Sequence, residues 1–374
     1  MFYKIKPLDT LFFKDGRPFT MGAETWANPV FPPYPSTVYG AIRTWLIFER
    51  GDLKDFENRK FEKELGEIKR DEEGKIKEIT KGSLKIKGPL LALEDTLYFP
   101  VPKDLLKEKG EKEKNLYDID LVNKPEILIS DYNLEKCLVN KRDIELEEAD
   151  ELLDIYGLKD YLEGKGKINY TEKYELFTKE LKTGIKRSRK TLSTEEGYLY
   201  RIPMIKLYKK DKEASLYIEI EGITNYPEKG LIQLGGEGKT AQIEKIQNNL
   251  LENLQNINFK FENKIFKIYL ATPAIFRKGW VPDWIDENNF EGVYKGIKLK
   301  LIACAIGKHI LVGGWDLVKK KPKPMYKAVP AGSVYYFEIL DDSTPDKIKN
   351  TFHLKNISDI NPEEGFGLSL IGEV

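Results

Sequence analysis

Apolar positions along this chain recur at two spacings, alternate and helical, separated by long charged tracts. "FYKIKPLDTLFF" alternates loosely, Phe2, Ile5 and Leu8 leading into Leu11, Phe12 and Phe13, and predicts a strand over residues 2–13. "NPVFPPYPS" is too rich in proline for either regular state and predicts an extended loop. Ser36 then stands where a cap would open a helix running to about Phe48. Its Val38, Ile42, Trp45 and Leu46 form one apolar stripe, with Thr37 and Arg43 away from it on the exposed side. "KGPLLALEDTLYFPVP" predicts a hairpin turning at Glu94-Asp95, and "EASLYIEIEGI" a strand ended by Gly222. "KIFKIYLATPAIF", "KLKLIACAIG" and "GSVYYFEIL" supply three more strands. "DSTPDKIKNTFHL" predicts a helix with Thr344 as cap and Pro345 first, where a missing N–H costs nothing. A glycine turn and a last strand, "EEGFGLSLIGEV", close the chain. This order suits an α+β sandwich, an antiparallel sheet with helices on one face. The N-terminal half carries a similar order diluted by insertions, so two related sandwiches are expected.

The charged tracts shape that picture. Residues 50–82 are dominated by Lys, Glu and Asp and predict a solvated insertion. The polar region 103–180 predicts peripheral loops and helices, and 248–262, rich in Asn and Glu, a linker. A length of 374 residues favours two domains. Lys plus Arg equals Asp plus Glu at 61 each, so any site for a polyanion must come from local clustering of cations. Cys137 and Cys304 are too few for a disulfide framework or a four-cysteine zinc site and fit a reducing compartment. The opening residues lack the features of a signal peptide, and no apolar run has the length of a membrane span. A soluble, cytoplasmic protein is expected.

"LGGEGKTAQIEKI", 234–246, raises the question of phosphate binding. A Walker A loop needs a leading glycine at 233, where the chain has Gln233. Gly236, Gly238 and Ala241 match a dinucleotide fingerprint, but no βαβ unit surrounds them. Ile243, Ile246 and Leu250 fit a helical stripe, while Ala241 and Ile243 alternate with polar neighbours as on a strand; periodicity leaves both open. A tight turn needing positive φ accounts for the glycines without any ligand.

Two windows concentrate cations. "TKELKTGIKRSRKT", 178–191, holds Lys179, Lys182, Lys186, Arg187, Arg189 and Lys190 against a single acid, Glu180. Cations seated on phosphates release counterions and give affinity independent of sequence; Tyr198 and Tyr200 nearby suit stacking on unpaired bases. A solvated charged loop is the plain alternative. "KKKPKP", 319–324, is held extended by its prolines and suits RNA or protein contact equally. Arg43 suits either an anion site at the helix start or a surface salt bridge. Trp26, Phe31 and Tyr34 suit partner anchoring or local core. Chemistry is thinly supplied: His309 follows an apolar strand and suits a structural role. His353 closes the last helix, where a positive charge would favour the dipole. No nucleophile elbow, zinc motif or paired acidic metal motif occurs.

Several segments together resemble one family. "PLDTLFFKDGRPF" at 7–19 is similar to the opening of a branch of the RAMP superfamily of CRISPR systems, and "PPYPSTVYGAIR" at 32–43 to its first helix entry. "LGGEGKTA" resembles the glycine-rich segment closing its first domain. "GGWDLVKKKPKPMYKAVPAGSVYYFE" at 313–338 and the terminal "GFGLSLIG" resemble the Cmr subunit three family. The resemblance implies two ferredoxin-like (RRM-like) domains, residues 1–255 with insertions at about 50–82 and 103–180, and residues 256–374. It implies a non-catalytic subunit of a type III-B effector complex, without cofactor or metal, that holds the 5′ repeat-derived handle of CRISPR RNA. The large polymerase/cyclase-like subunit and the adjacent RAMP backbone subunit would be its neighbours. The RNA-facing residues would be Ser36, Thr37, Arg43, Lys186, Arg187, Arg189, Lys190, Gly235, Gly236, Glu237, Gly238 and Lys239. On this reading 240–247 is a strand and the phosphate at "GGEG" belongs to RNA. Some superfamily relatives cut RNA with a histidine or tyrosine, so a metal-independent endoribonuclease is the second expectation and a protein-only adaptor the third.

Overall fold

The computed structural model describes residues 1–16, 29–110, 113–166, 168–187, 190–191, 193–207, 212–316 and 321–374. The architecture is mixed α/β with strands predominating, spread over several sheets. Its contacts fall into two units that interleave along the chain. One comprises 1–89, 174–248 and 311–326, and the other 90–173, 249–310 and 327–374. The sequence suggests consecutive domains meeting at 255. By contacts, 90–173 cluster with the C-terminal residues and 311–326 with the N-terminal ones.

In the first unit, strand β1 (Phe2–Pro7) lies mid-sheet, antiparallel to β5 (Ala214–Glu221) on one side and β7 (Thr240–Ile246) on the other. Ile5 faces Leu216 and Ile243 across the two ladders. Tyr3 and Ile5 are buried while Phe2, Lys4 and Lys6 are half-exposed, the period-two signature of a sheet covered on one face. The cover is helix α1 (Pro35–Arg50), whose Val38, Ile42, Trp45 and Leu46 are buried as the stripe requires. Trp45 meets Tyr3 edge-on, and a Cβ at Gly230 would lie 2.1 Å from the indole nitrogen, so only glycine fits beneath it. Strand β2 (Lys85–Leu93), whose first five residues belong here, flanks β5 and is tied to it by Lys87 on Glu219 and Glu221. Strand β6 (Lys229–Gln233) extends the sheet beyond β7, giving the order β2-β5-β1-β7-β6. Residues 240–246 are therefore strand, the alternative that the resemblance favours.

In the second unit, β8 (Ile265–Leu270) is antiparallel to β10 (Val334–Ile339) and to β11 (Leu368–Gly372), with β9 (Ile297–Ala305) outside β10. Helix α3 (Pro345–Phe352) starts as the sequence predicts: the Thr344 hydroxyl accepts from the Lys347 N–H, and Pro345 fills the first position. Its Phe352 packs against Phe266, Trp284 and Tyr294.

Two local expectations need correction. Residues 103–180 form mostly short strands, plus helix α2 (Ile155–Leu162), and they reach the core. Buried Asp104 accepts hydrogen bonds from the Tyr161 and Tyr336 hydroxyls. The buried Lys267 ammonium lies 3.6 Å from the Tyr161 ring centre, where burial lowers its proton affinity. Second, the segment 248–262 is anchored, not a free linker, since Leu251, Leu254 and Ile257 are almost fully buried. The 50–82 insertion is solvated, as its charge predicts, and folds into two short helices, Leu53–Glu57 and Glu62–Leu65, and a hairpin, Ile68–Arg70 with Ile76–Ile79.

His353 corrects the dipole argument as well. Its Nδ1 accepts from the Ile371 N–H and its Nε2–H donates to the Leu254 carbonyl, so the ring is neutral. Burial pushes its pKa down to about 4. The unfolded chain protonates near 6.5, so the stabilisation is complete above that pH and is lost as pH falls toward 4. The loss expected between pH 7 and pH 4 is on the order of 3 kcal/mol, and His353→Gln should flatten that slope in denaturant titrations at several pH values. Among the described residues, no helix is long and apolar enough to cross a membrane.

Candidate nucleic-acid interface

The glycine segment is the tip of the β6–β7 hairpin, joining antiparallel neighbours instead of leading from strand to helix as a nucleotide loop does. Gly235 has φ +83°, and a Cβ there would lie 2.4 Å from the Phe12 carbonyl oxygen. The Gly236 N–H donates to that same oxygen at 2.8 Å, and Leu234 N–H to the Lys239 carbonyl. Glu237 and Gly238 follow with φ 59° and 64°. Among the described residues, the amides of Gly235, Glu237 and Gly238 find no acceptor, and 236–238 are exposed. Adjacent outward amides in left-handed conformation form a concavity suited to an anion's oxygens. Lys239 stands beside this tip but is paired with Asp9 at 2.7 Å, a bond that holds the Asp9 carboxyl below the usual carboxylate range.

The basic window forms one arm of a long hairpin, β3 (Phe177–Arg187) with β4 (Thr194–Leu207), paired from Phe177/Leu207 to Arg187/Thr194 with an irregularity after Ile185. Its root is fixed by apolar contacts: Phe177 against Phe31 at 4.6 Å, Phe31 against Phe13, and Phe12 with Ile202 and Met204. A reciprocal backbone pair joins Leu11 and Ile205. Beyond that root, Thr178–Thr183 are all exposed on both faces of the strand, including Lys179, Leu181 and Lys182. An eleven-residue strand spans about 33 Å, so the arm carries its cations well away from its root. Lys186 and Arg187 end β3, Lys190 is exposed, and Arg189 lies outside the described residues, as do Trp26, Lys319 and Lys320. Lys182 approaches the Glu237 carboxylate at 3.8 Å, which brings hairpin arm and glycine tip together.

The helix start is capped one way in the sequence reading and another in the structure. Tyr34, not Ser36, is the N-cap, without a side-chain cap bond; Pro35 takes the first position and the Thr37 N–H reaches back to the Tyr34 carbonyl. Ser36 and Thr37 are half-buried in the first turn. Phe31 and Tyr34 belong to local core, the latter's hydroxyl donating to the Leu311 carbonyl. Arg43 reaches the insertion that follows its helix. Its guanidinium donates to the carbonyls of Leu65 and Thr80 and lies over the Phe56 ring, clamping the 53–80 insertion onto α1. Arg43→Ala should therefore speed hydrogen exchange across 53–80 and cost about 1–3 kcal/mol, while leaving RNA affinity within twofold.

The second basic run lies in a narrow ribbon, Trp315–Asp316 paired with Lys321–Pro322, where Lys321 and Lys323 are exposed. Gly313 beside it packs against Gly16 so closely that a Cβ on Gly16 would fall 2.9 Å from the Gly313 Cα. Sequence reasoning missed this packing because its partners are nearly three hundred residues apart.

A family model described as CRISPR-associated protein (Cas_Cmr3) matches residues 3–374. A chain in the cryo-EM structure of type III-B Cmr-beta bound to cognate target RNA and AMPPnP, state 1, shares 16% identity. That match covers 90% of this chain and 86% of the other, with TM-score 0.50. A chain in the cryo-EM structure of type III-B Cmr-beta bound to cognate target RNA shares 18%, over 94% and 89%, with the same TM-score. At such identities the likeness is one of fold. No curated protein matches the chain.

Proposed function

From a chain that belongs to the CRISPR-associated Cas_Cmr3 family, we propose a guide-RNA-holding subunit of a type III-B effector complex that performs no chemistry of its own. The observation that carries this reading is the meeting, through Lys182 and Glu237, of an exposed basic arm with a hairpin tip whose amides are unspent. Amides at a glycine turn grip phosphate oxygens at close range, and the arm adds cations along the strand; neither device reads base edges or needs a metal. The 5′ handle of the guide is the segment it holds. The large polymerase/cyclase-like subunit and the adjacent RAMP backbone subunit are its protein neighbours. The setting is the cytoplasm.

The finer fold assignment belongs with this reading. Taken in chain order, the four principal strands of each unit lie in the spatial order second, third, first, fourth, all antiparallel where paired with the first. That is the strand order of a ferredoxin-like sheet. Each unit keeps one crossover helix of two: α1 in the first, α3 in the second. The other helix is replaced by β6 in the first unit and by extended chain in the second.

Photoreactive nucleotides placed along the guide's 5′ end in the reconstituted complex test the reading. Crosslinks are expected on 182–190 and 235–239. Crosslinks confined to other parts of this chain, or to other subunits, would reject it.

A further inference from the structure

The second unit displays apolar side chains where nothing in the fold asks for them. In "KPEILISDY", residues 124–132, Ile127 is 90% exposed and Ile129 95%, with Leu128 and Tyr132 also exposed. Turning two isoleucines into water forgoes about 1.5–3 kcal/mol each relative to burying them, and clustered exposure of this kind marks interaction sites. The loop closes a two-stranded hairpin, Asp120–Asn123 with Lys136–Val139. It is held on several sides. Lys124 N–H donates to the Glu135 carbonyl, and Leu128 N–H to the Pro125 carbonyl. Glu135 pairs with Lys300, and Tyr132 meets Trp280 edge-on at 4.8 Å. The isoleucines are thus presented to solvent from a braced frame.

At the foot of the loop, Tyr132 and Leu134 form one wall of a cleft of about 490 Å³, with Trp280, Cys304, Ile306 and Val329 among the others. Apolar lining dominates, and burial pushes the Cys304 thiol up to about 12, so it serves as a packing atom and not as a nucleophile. The loop that carries the isoleucines thus also lines this hollow, through Ser130, Tyr132 and Leu134.

Charge decides what kind of partner fits. From 125 to 135 the loop has no lysine or arginine, and its acids Glu126 and Asp131 flank the isoleucines, while Lys327 and His309 are part of the lining of the cleft beside it. The carboxylates of the ridge disfavour a polyanion there. We infer that this ridge and cleft dock another protein chain of the effector complex, one presenting an apolar socket rimmed by basic side chains. The isoleucines enter the socket as central anchors, and Glu126 and Asp131 meet the basic rim. This rests on the complex membership proposed above, but it concerns a surface that takes no part in gripping RNA.

The test uses the full chain in a complex reconstituted from the other purified type III-B protein subunits and guide RNA. A photocrosslinking amino acid at position 127 or 129 is expected to join a protein subunit. Ile127→Ser with Ile129→Ser should weaken incorporation at least tenfold, and Glu126→Lys with Asp131→Lys should weaken it too, most at low salt. Guide RNA binding by the isolated variants should stay within twofold of the parent chain. Crosslinks to RNA, or incorporation unaffected by the serine pair in a variant of unchanged melting temperature, would overturn the inference. Failure of the parent chain to bind guide RNA would instead strike the proposed function and leave a protein crosslink at 127 or 129 standing.

Discussion

Replacing Lys186, Arg187, Arg189 and Lys190 together by alanine should weaken guide RNA binding by about 10²–10³-fold near physiological salt. The slope of log K against log salt should fall by about 3, because each phosphate contact on a single strand contributes roughly 0.7. The chain as a whole carries no net charge, so the arm's own cations supply the attraction. Removing four cations elsewhere is the control. Lys69, Lys75, Lys109 and Lys165 each sit against an acid on the surface, and their joint replacement should change affinity by less than threefold. Fluorescence anisotropy with a labelled handle oligonucleotide over a range of salt concentrations reads both quantities. Equal losses from the two sets would mean that the arm has no special place on the RNA.

Gly235→Ala should cost about 3 kcal/mol or more, because two penalties coincide. The residue stands at φ +83°, where a side chain costs roughly 1–2 kcal/mol. The new Cβ would also press on the Phe12 carbonyl oxygen, a backbone atom already engaged by the Gly236 N–H, and overpacking of that kind adds about 1–3 kcal/mol. Gly238 separates fold from function. It too has positive φ, but its side faces open space, so Gly238→Leu should cost only about 1 kcal/mol. The leucine would nevertheless stand where a phosphate must approach the tip, and RNA affinity should drop about tenfold or more. Urea titration of both variants beside anisotropy separates the cases. A Gly235→Ala variant as stable as the parent would disprove the close approach at the tip.

What the sequence discloses follows the range of the forces involved. The α1 stripe, the Glu94-Asp95 hairpin and the Thr344 cap are set by neighbours within a few residues, and each was legible. Ser36 as cap was not, because Pro35 already fits the first helical position and moves the boundary back to Tyr34. Arg43 reads as a surface cation until the insertion folds back and offers it two carbonyls. Nothing local marks Asp104 or Lys267 for burial; the Tyr161 and Tyr336 hydroxyls reach the first, and the Tyr161 ring lies beside the second. His353 loses its charge to burial through Leu254 and Ile371. In the candidate interface, the cluster of cations and the glycines stood out by type alone. Their meeting at Lys182 and Glu237 required knowing which strands pair. The exposed isoleucines at 127 and 129 were hidden in a tract whose overall polarity masks them.

The interleaving of the two units sets an order of events during synthesis. The ribosome delivers residues 1–89 early, but the first unit still lacks 311–326, which emerge only after most of the second unit's chain. The sheet of the first unit and its α1 cover are complete in sequence at Ile246, so β1 and β5 can find their partners while 311–326 are still to be made. A messenger truncated near codon 300 would leave both units short, the first without 311–326 and the second without 327–374.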